Sequence, residues 1–118
     1  MGNLPQCLIH DEWRGRRVVI SCAGIVDMLT APELEQRIAK ALALDPTAMV
    51  VDLTLIDFFA SRGMGVLVDT HDQCSAAGVR FAVVADGPVT HRPLTLMGLT
   101  DILNVHLTLD SALTNLQV

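Results

Sequence analysis

The residues best suited to chemistry lie around Ser61, between a buried-looking strand and a run with helical spacing. A serine at a strand-to-helix turn is typical of the G-x-S-x-G nucleophile elbow, but Phe59 stands where the first glycine is required. Of the downstream histidines His71, His91 and His106, the first falls on an apolar helical stripe, which favours a core position. We therefore predict no serine hydrolase, and interpret Ser61 first as an N-cap.

Gly63 and Gly65 follow this serine and would let a phosphate approach the first amides of the helix. A complete dinucleotide fingerprint needs a third glycine, and Val68 stands at that position. We expect the two small residues to let the helix pack closely on the sheet. Nucleotide binding stays open as the weaker alternative.

Three carboxylates, Asp27, Asp52 and Asp57, are expected at strand ends or in loops on one edge of the sheet. Carboxylates that converge there with a serine hydroxyl could hold Mg²⁺. Ordinary caps and loop residues are the interpretation we favour. We therefore predict no metal site and no cofactor.

Composition restricts the class of protein. The chain has 118 residues, of which 51% are apolar and 18% charged, so we expect one globular domain over residues 1–118. The net charge of −5 argues against a nucleic-acid partner. We expect no membrane segment, because no apolar run approaches the ~18 residues of a span. We also expect no signal peptide, because the first residues lack a basic segment followed by an apolar one.

The three cysteines are too few and too irregularly spaced for a disulfide framework or a zinc site. The simplest location is a reducing cytoplasm. Cys22 and Cys74 fall in a strand and on the apolar helical stripe, so we expect them to be packing residues. Cys7 is predicted in an exposed tail, where it would be the candidate for intermolecular oxidation.

Apolar and polar periodicity predicts elements in the order β-β-α-β-α-β-α-β-α. Strands separated by helices imply a mostly parallel sheet, and the first two strands form an antiparallel hairpin at its edge. The fold class is therefore α/β, with about five strands and about four helices. The predicted strands are Leu8–Trp13, Val18–Ala23, Met49–Thr54, Arg80–Ala85 and Ile102–Leu107. A loop containing Phe58 and Phe59 is expected before Ser61.

Capping signals locate the helix starts. Thr30 and Glu33 have the S/T-x-x-E spacing of a capping box, and Glu33 can pair with Arg37 one turn later. Thr90 is predicted to cap a short helix that ends before Gly98.

Three motifs resemble those of the STAS family, and more narrowly those of the anti-sigma factor antagonists, and they occur along the chain in the same order as in the family. They are VVDLT at residues 50–54 with IDFFASRGMGVL at residues 56–67, GIVD at residues 24–27 and GLTDIL at residues 98–103. The corresponding family patterns are V-x-D-L-S, F-x-D-S-S-G-x-G, G-E-L-D and G-L-x-x-x-F/L. The similarity covers nearly the whole chain and implies a single STAS-like domain.

The resemblance implies a regulatory protein with no catalytic residues of its own. Unphosphorylated antagonists bind an anti-sigma factor that is also a serine kinase and so release a sigma factor. Phosphorylation of the first serine of the D-S-S-G motif breaks this complex, and a phosphatase restores it. The position that matches this serine is Ser61. The implied binding and motif residues are Asp27, Asp52, Asp57, Phe59, Ala60, Arg62, Gly63, Met64 and Gly65.

Two residues depart from the family pattern. Ala60 replaces the acid before the serine, and Arg62 replaces the second serine. Arg62 could pair with a phosphate on Ser61 and weaken the switch. Three alternatives stay open: a STAS module that binds partners without phosphorylation, a small-ligand or nucleotide sensor, and a redox-responsive module.

Overall fold

The computed structural model describes residues 6–117 and confirms the predicted order of nine elements within them. Their bounds are β1 (Cys7–Arg14), β2 (Arg17–Val26), α1 (Ala31–Leu42), β3 (Ala48–Phe59), α2 (Ser61–Ala77), β4 (Arg80–Val84), α3 (His91–Leu96), β5 (Val105–His106) and α4 (Leu109–Asn115). Residues 1–5, on which much of the signal-peptide prediction depends, lie outside the described residues. None of the helices within residues 6–117 has the length and apolar character required to cross a bilayer.

The five strands form one sheet in the order β1-β2-β3-β4-β5. β1 pairs with β2 as an antiparallel hairpin, and the remaining pairs are parallel. The α/β class and the antiparallel edge hairpin are therefore confirmed. Because β2 to β5 run in one direction, their carboxyl ends all meet the same edge of the sheet.

The central strands differ from the prediction at their carboxyl ends. β2 continues past Gly24 to Val26, and β3 continues to Phe59, so the predicted loop before Ser61 is wrong. The two strands keep pairing out to Val26 and Phe59, with register shifts that give β3 two more residues than β2. Such bulges bend a strand and strengthen its twist without ending the ladder. Periodicity misses them because they interrupt the alternation of apolar residues.

The last strand is shorter than predicted, because only Val105–His106 pairs with β4. Asn104 has a positive φ of 54°, and its amide donates to the carbonyl of Asp101 in a turn. The apolar run therefore enters the turn before it can form a strand. Gly98, by contrast, follows the C-cap of α3 with a φ of 69°, as predicted.

Two apolar cores of unequal size cover the two faces of the sheet. The larger core joins alternate residues of β3, such as Met49 and Val51, to the inner sides of α1 and α2. The smaller core lies on the opposite face, where α4 is the covering helix. It consists of Val19, Ala48, Val50, Ala82, Val84, Ala112, Leu113 and Leu116. The prediction that the central strand is buried on both faces is confirmed.

The spacing of Met64, Leu67, Val68, His71 and Cys74 predicts one apolar stripe on α2, and the structure departs from a fully buried stripe at His71. Leu67 and Cys74 are fully buried, whereas His71 keeps a third of its side chain exposed and contacts Asp72 at 3.2 Å. The ring of Phe81 lies 6.3 Å from that of His71, centroid to centroid. His71 therefore borders the core instead of lying within it.

The prediction for Cys7 is also wrong. It is the first residue of β1 and is 7% exposed, because its side chain turns into the larger core. Cys22 and Cys74 are buried packing residues, as predicted. Burial raises the pKa of Cys74 to about 11.

Candidate functional site

The candidate site lies where β2 and β3 end side by side. The amide of Ala60 donates to the carbonyl of Val26 at 2.9 Å, which fixes the corner between β3 and α2. Ala60 has the extended backbone of an N-cap, with φ −88° and ψ 167°, and Ser61 is the first helical residue. The prediction of Ser61 as the N-cap is therefore wrong by one position. The Ser61 side chain is exposed, and the N-cap residue Ala60 has no side-chain oxygen with which to cap α2.

Gly63 fixes how closely this helix start approaches the sheet. A Cβ atom on Gly63 would lie 2.6 Å from Cε1 of Phe59 and 2.8 Å from Cγ1 of Val26. The predicted close packing is therefore confirmed for Gly63. It is wrong for Gly65, where an added Cβ atom would have no neighbour within 4 Å. The space beside Gly63 is thus filled by side chains of the protein itself.

Arg62 and Met64 leave the helix start on different sides. Nη2 of Arg62 donates to Oε1 of Glu35 on α1 at 2.8 Å, and the two side chains are 43% and 38% exposed. Met64 is partly buried and packs against the larger core. The Arg62 guanidinium, which the sequence suggested as a partner for phosphate, therefore already has a carboxylate partner.

Asp27 holds the turn that leads into α1. Its Oδ1 accepts from the amides of Leu29 and Thr30 at 2.9 and 3.1 Å. The hydroxyl of Thr30 donates to the carbonyl of Ile25 at 2.7 Å and accepts from the amide of Asp27 at 3.0 Å. Asp27 thus acts as the structural acceptor of this turn.

The predicted capping box is wrong, because the Thr30 hydroxyl is used in this turn and makes no cap bond to α1. The predicted Glu33–Arg37 pair is also absent among residues 6–117. Arg37 instead reaches across to β1, where it donates to the Asp11 carboxylate at 2.9 Å and the Ile9 carbonyl at 3.2 Å. The Thr90 hydroxyl likewise makes no cap bond to α3.

The other two carboxylates have separate surroundings. Oδ1 of Asp52 accepts from the amide of Thr54 at 3.0 Å, where the β2–β3 register shifts. Asp57 lies on the exposed side of β3. Within residues 6–117, no group of three or more histidine, cysteine, aspartate or glutamate side chains is arranged to hold a metal ion.

The histidines make their contacts away from Ser61. His91 lies 3.4 Å from the Thr95 hydroxyl, and His106 contacts Ser111 and Asn104 at 2.8 and 3.1 Å. None of the hydrogen bonds within residues 6–117 joins a histidine to the Ser61 hydroxyl. The described geometry therefore contains no serine–histidine pair at this helix start.

Large exposed apolar side chains lie on β3 and just after β2, toward the carboxyl edge of the sheet where α2 begins at Ser61. Met28 and Leu29 follow β2 and are 76% and 78% exposed, and Leu55 and Phe58 on β3 are 66% and 54% exposed. Ile25 pairs with Phe58 in the ladder, so the β2 turn and the end of β3 are neighbours. We call these four residues together with Ser61 the Ser61 face.

Met28, Leu29, Leu55 and Phe58 are not among the site residues predicted from the sequence. The available signal was an apolar pair between a strand-ending aspartate and a helix start, a position where polar residues are usual. Grouped apolar exposure of this kind marks interaction surfaces.

Comparisons with known proteins agree with this architecture. The STAS domain family model matches residues 9–112. The anti-sigma-F factor antagonist RsfB of Mycobacterium tuberculosis is 40% identical over 99 residues, which cover 84% of this chain and 80% of RsfB. The crystal structure of an anti-sigma factor antagonist from Mycobacterium paratuberculosis superposes with a TM-score of 0.88 at 38% identity, covering 93% of each chain.

A more distant structure shows the same fold. The Bacillus cell fate determinant SpoIIAA in its phosphorylated form superposes with a TM-score of 0.72 at 19% identity, covering 93% of this chain and 100% of that chain. The family resemblance found in the sequence is confirmed, and the chain belongs to the STAS domain family.

Proposed function

We propose that this protein is an anti-sigma factor antagonist that acts by binding and not by catalysis. Its partner is an anti-sigma factor with serine-kinase activity, and the contact surface is the Ser61 face. The observation that carries the proposal is the group of exposed apolar side chains toward the sheet edge where Ser61 begins α2, in a chain 40% identical to a protein named as an anti-sigma-F factor antagonist. Such a partner places the protein in the cytoplasm.

The Ser61 face has the character of a binding surface. Its apolar side chains come from two neighbouring strand ends, which are fixed by the β2–β3 ladder and by the Asp27 turn. A surface held in this way loses little conformational entropy when a partner binds. Apolar anchors such as Phe58 and Leu29 would be buried in the complex, with Ser61 among them.

Phosphorylation of Ser61 would oppose that binding without opposing the fold. A phosphate carries about −1.5 to −2 charges at neutral pH. At the first residue of α2, this charge is favourable for the amides and dipole of a 17-residue helix. In the complex, the same charge would have to lose water against apolar side chains, which is costly. The modification therefore separates partner affinity from stability.

Arg62 adjusts the size of this effect. A phosphate on Ser61 would compete with Glu35 for the Arg62 guanidinium, and a bidentate pair with phosphate would mask part of the new charge. Ala60 provides no carboxylate in front of the serine, so a kinase must recognise Ser61 through other groups. We propose that a phosphatase returns Ser61 to the free hydroxyl.

The test is intact-mass spectrometry of the protein after incubation with ATP and its host's serine-kinase anti-sigma factors. We expect one phosphate on the wild type and none on Ser61→Ala. Ser75→Ala is the matched control, because Ser75 is an exposed serine near the other end of the same helix.

Binding measurements complete the test. Ser61→Asp is expected to weaken binding of the kinase at least about 100-fold, a loss typical of an interface centre, while Ser75→Asp binds as the wild type does. Circular dichroism should show that both variants are folded. The proposal is rejected if Ser61→Asp binds with wild-type affinity, or if phosphate is found on another serine.

A constitutive binder is the second candidate, and the residues Ala60 and Arg62 favour it. In that case the Ser61 face binds its partner but Ser61 is not a kinase substrate. A stable complex with no phosphate, and loss of binding in Phe58→Ala, would identify this behaviour.

A further inference from the structure

Two thiols lie against each other between the first two strands. Sγ of Cys7 is 2.9 Å from Sγ of Cys22, so the two sulfurs are in direct contact. In the antiparallel ladder Cys22 pairs with Ile9, and Cys7 lies two residues before Ile9. The cysteines are therefore diagonal neighbours, and their side chains point to the same face of the sheet.

We propose that Cys7 and Cys22 are a modification site where peroxide produces a reversible intramolecular disulfide between β1 and β2. The two sulfurs need to approach by only about 0.9 Å to reach the bond length of about 2.05 Å. Cys7 begins an edge strand, so it can move by this amount without displacing the central strands.

The two thiols differ in access. Cys22 is 1% exposed, and its burial, together with Cys7 beside it, raises the pKa of its thiol well above the usual range. Cys7 is 7% exposed at the start of β1, where Gln6 before it is exposed. Local opening of a strand end admits reagents that the closed structure excludes. Cys7 is therefore the thiol that meets the oxidant, and Cys22 is the resolving thiol.

The chemistry balances in two steps. The Cys7 sulfur attacks one oxygen of hydrogen peroxide and breaks the O–O bond, which gives a sulfenic acid and one water. The Cys22 sulfur then attacks the Cys7 sulfur, the S–O bond breaks, and a second water leaves with the Cys22 proton. Two thiols are oxidised by two electrons and one peroxide is reduced. A dithiol reductant reverses the bond by exchange.

The bond would fasten the start of β1 to β2 just before the turn at Asp27. At this point the amide of Ile25 donates to the carbonyl of Gln6 at 2.7 Å. Gly24 is held close to Gln6, with a φ of 102°. The cross-link would prevent β1 from leaving the sheet at this end. Closing a loop of this length should raise the midpoint of thermal unfolding by on the order of 10 °C.

The test treats the folded protein with hydrogen peroxide, removes the peroxide, unfolds the protein in denaturant so that every free thiol can be alkylated, and measures intact mass without reductant. We expect a monomer that has lost two hydrogens and is alkylated only at Cys74. Trypsin cuts after Arg14 and Arg17, so the bond would appear as two linked peptides that separate on reduction. The higher unfolding midpoint should disappear with the reductant.

Three variants separate the possible outcomes. Cys74→Ala should form the cross-link as the wild type does, whereas Cys7→Ser and Cys22→Ala should not. Cys7→Ser is at the sheet edge and is expected to fold, so it keeps the test valid if Cys22→Ala does not. A covalent dimer, oxidation confined to Cys74, or a sulfinic acid on Cys7 without a linked peptide would overturn the proposal.

Discussion

Two helices begin at the same edge of the sheet, and their first turns are held in opposite ways. The start of α1 is closed by its own side chains, because Asp27 and Thr30 satisfy the amides and carbonyls of the turn. The start of α2 follows Ala60, which has no side-chain acceptor, and carries an exposed Ser61. The first helix start uses its polar side chains to hold the turn, whereas the second exposes the Ser61 side chain.

This difference separates the two kinds of motif residue. The family resemblance groups Asp27 with Ser61, but the contacts of Asp27 are internal to the turn, whereas Ser61 faces outward. Substitution of Asp27 should therefore act on stability, whereas substitution of Ser61 should act mainly on binding. The following predictions test this division, beginning with the largest expected effect.

Asp27→Ala should lower the free energy of unfolding by about 2 kcal/mol, because it removes an acceptor shared by two amides at a helix start. Asp57→Ala is the matched control, since Asp57 is an exposed carboxylate on the neighbouring strand, and we expect a change within about 0.5 kcal/mol. Urea unfolding measures both. Equal effects of the two substitutions would contradict the division.

Gly63→Ala should lower stability by about 1 to 2 kcal/mol, because the clash with Phe59 and Val26 exceeds the gain in helix propensity. Gly65→Ala has free space and should raise stability by up to about 1 kcal/mol. Thermal unfolding of the pair gives the sign of each change. Two changes of the same sign would show that the space around the glycines does not decide their effect.

Ala60→Asp should raise stability by about 1 kcal/mol, because the N-cap position has the required extended backbone but no acceptor. Ala60→Asn supplies an acceptor without charge and should recover most of this gain. Measuring the stability of both variants at low and high salt separates the two contributions, because salt screens the interaction of a charge with the helix dipole. If both substitutions lowered stability, the N-cap position of α2 would not be lacking an acceptor.

Arg62→Gln should change stability by less than about 1 kcal/mol, since the Arg62–Glu35 pair is about 40% exposed. The same substitution should increase the loss of partner binding that follows phosphorylation of Ser61, because the phosphate would lose the cation of the adjacent residue. Affinities of the phosphorylated and unphosphorylated forms measure this, with Arg92→Gln as a control on a different helix. If the ratio of these two affinities were the same in Arg62→Gln as in the wild type, Arg62 would have no part in the effect of phosphorylation.

The order of elements and the sheet could be predicted because burial leaves a periodic signal in each segment. The conformations of the segments that connect these elements could not be predicted. The last residues of β3 and the turn at Asp27 depend on how β2 and β3 pair through their bulges, which is a relation between distant segments. The exposed tail predicted for Cys7 is wrong for the same reason, since the burial of Cys7 depends on the pairing of β1 with β2.

The candidate site was predicted in part. Ser61 could be found because a family pattern surrounds it, and Gly63 because a small residue near a helix start suggests close packing. The partner of Arg62 could not be found, because Glu35 lies on another helix with no sequence relation to it. The apolar residues of the Ser61 face were missed because exposure is a property of the assembled sheet edge.

The smaller core also sets an order of events during synthesis. Its sheet residues, such as Val50 and Val84, leave the ribosome before α4, the helix that covers them. Until α4 emerges, one face of the nascent sheet stays open to water and to chaperones that bind apolar surfaces. A stop codon between β5 and α4 would leave that face permanently exposed, and we expect the truncated protein to be degraded in the cell.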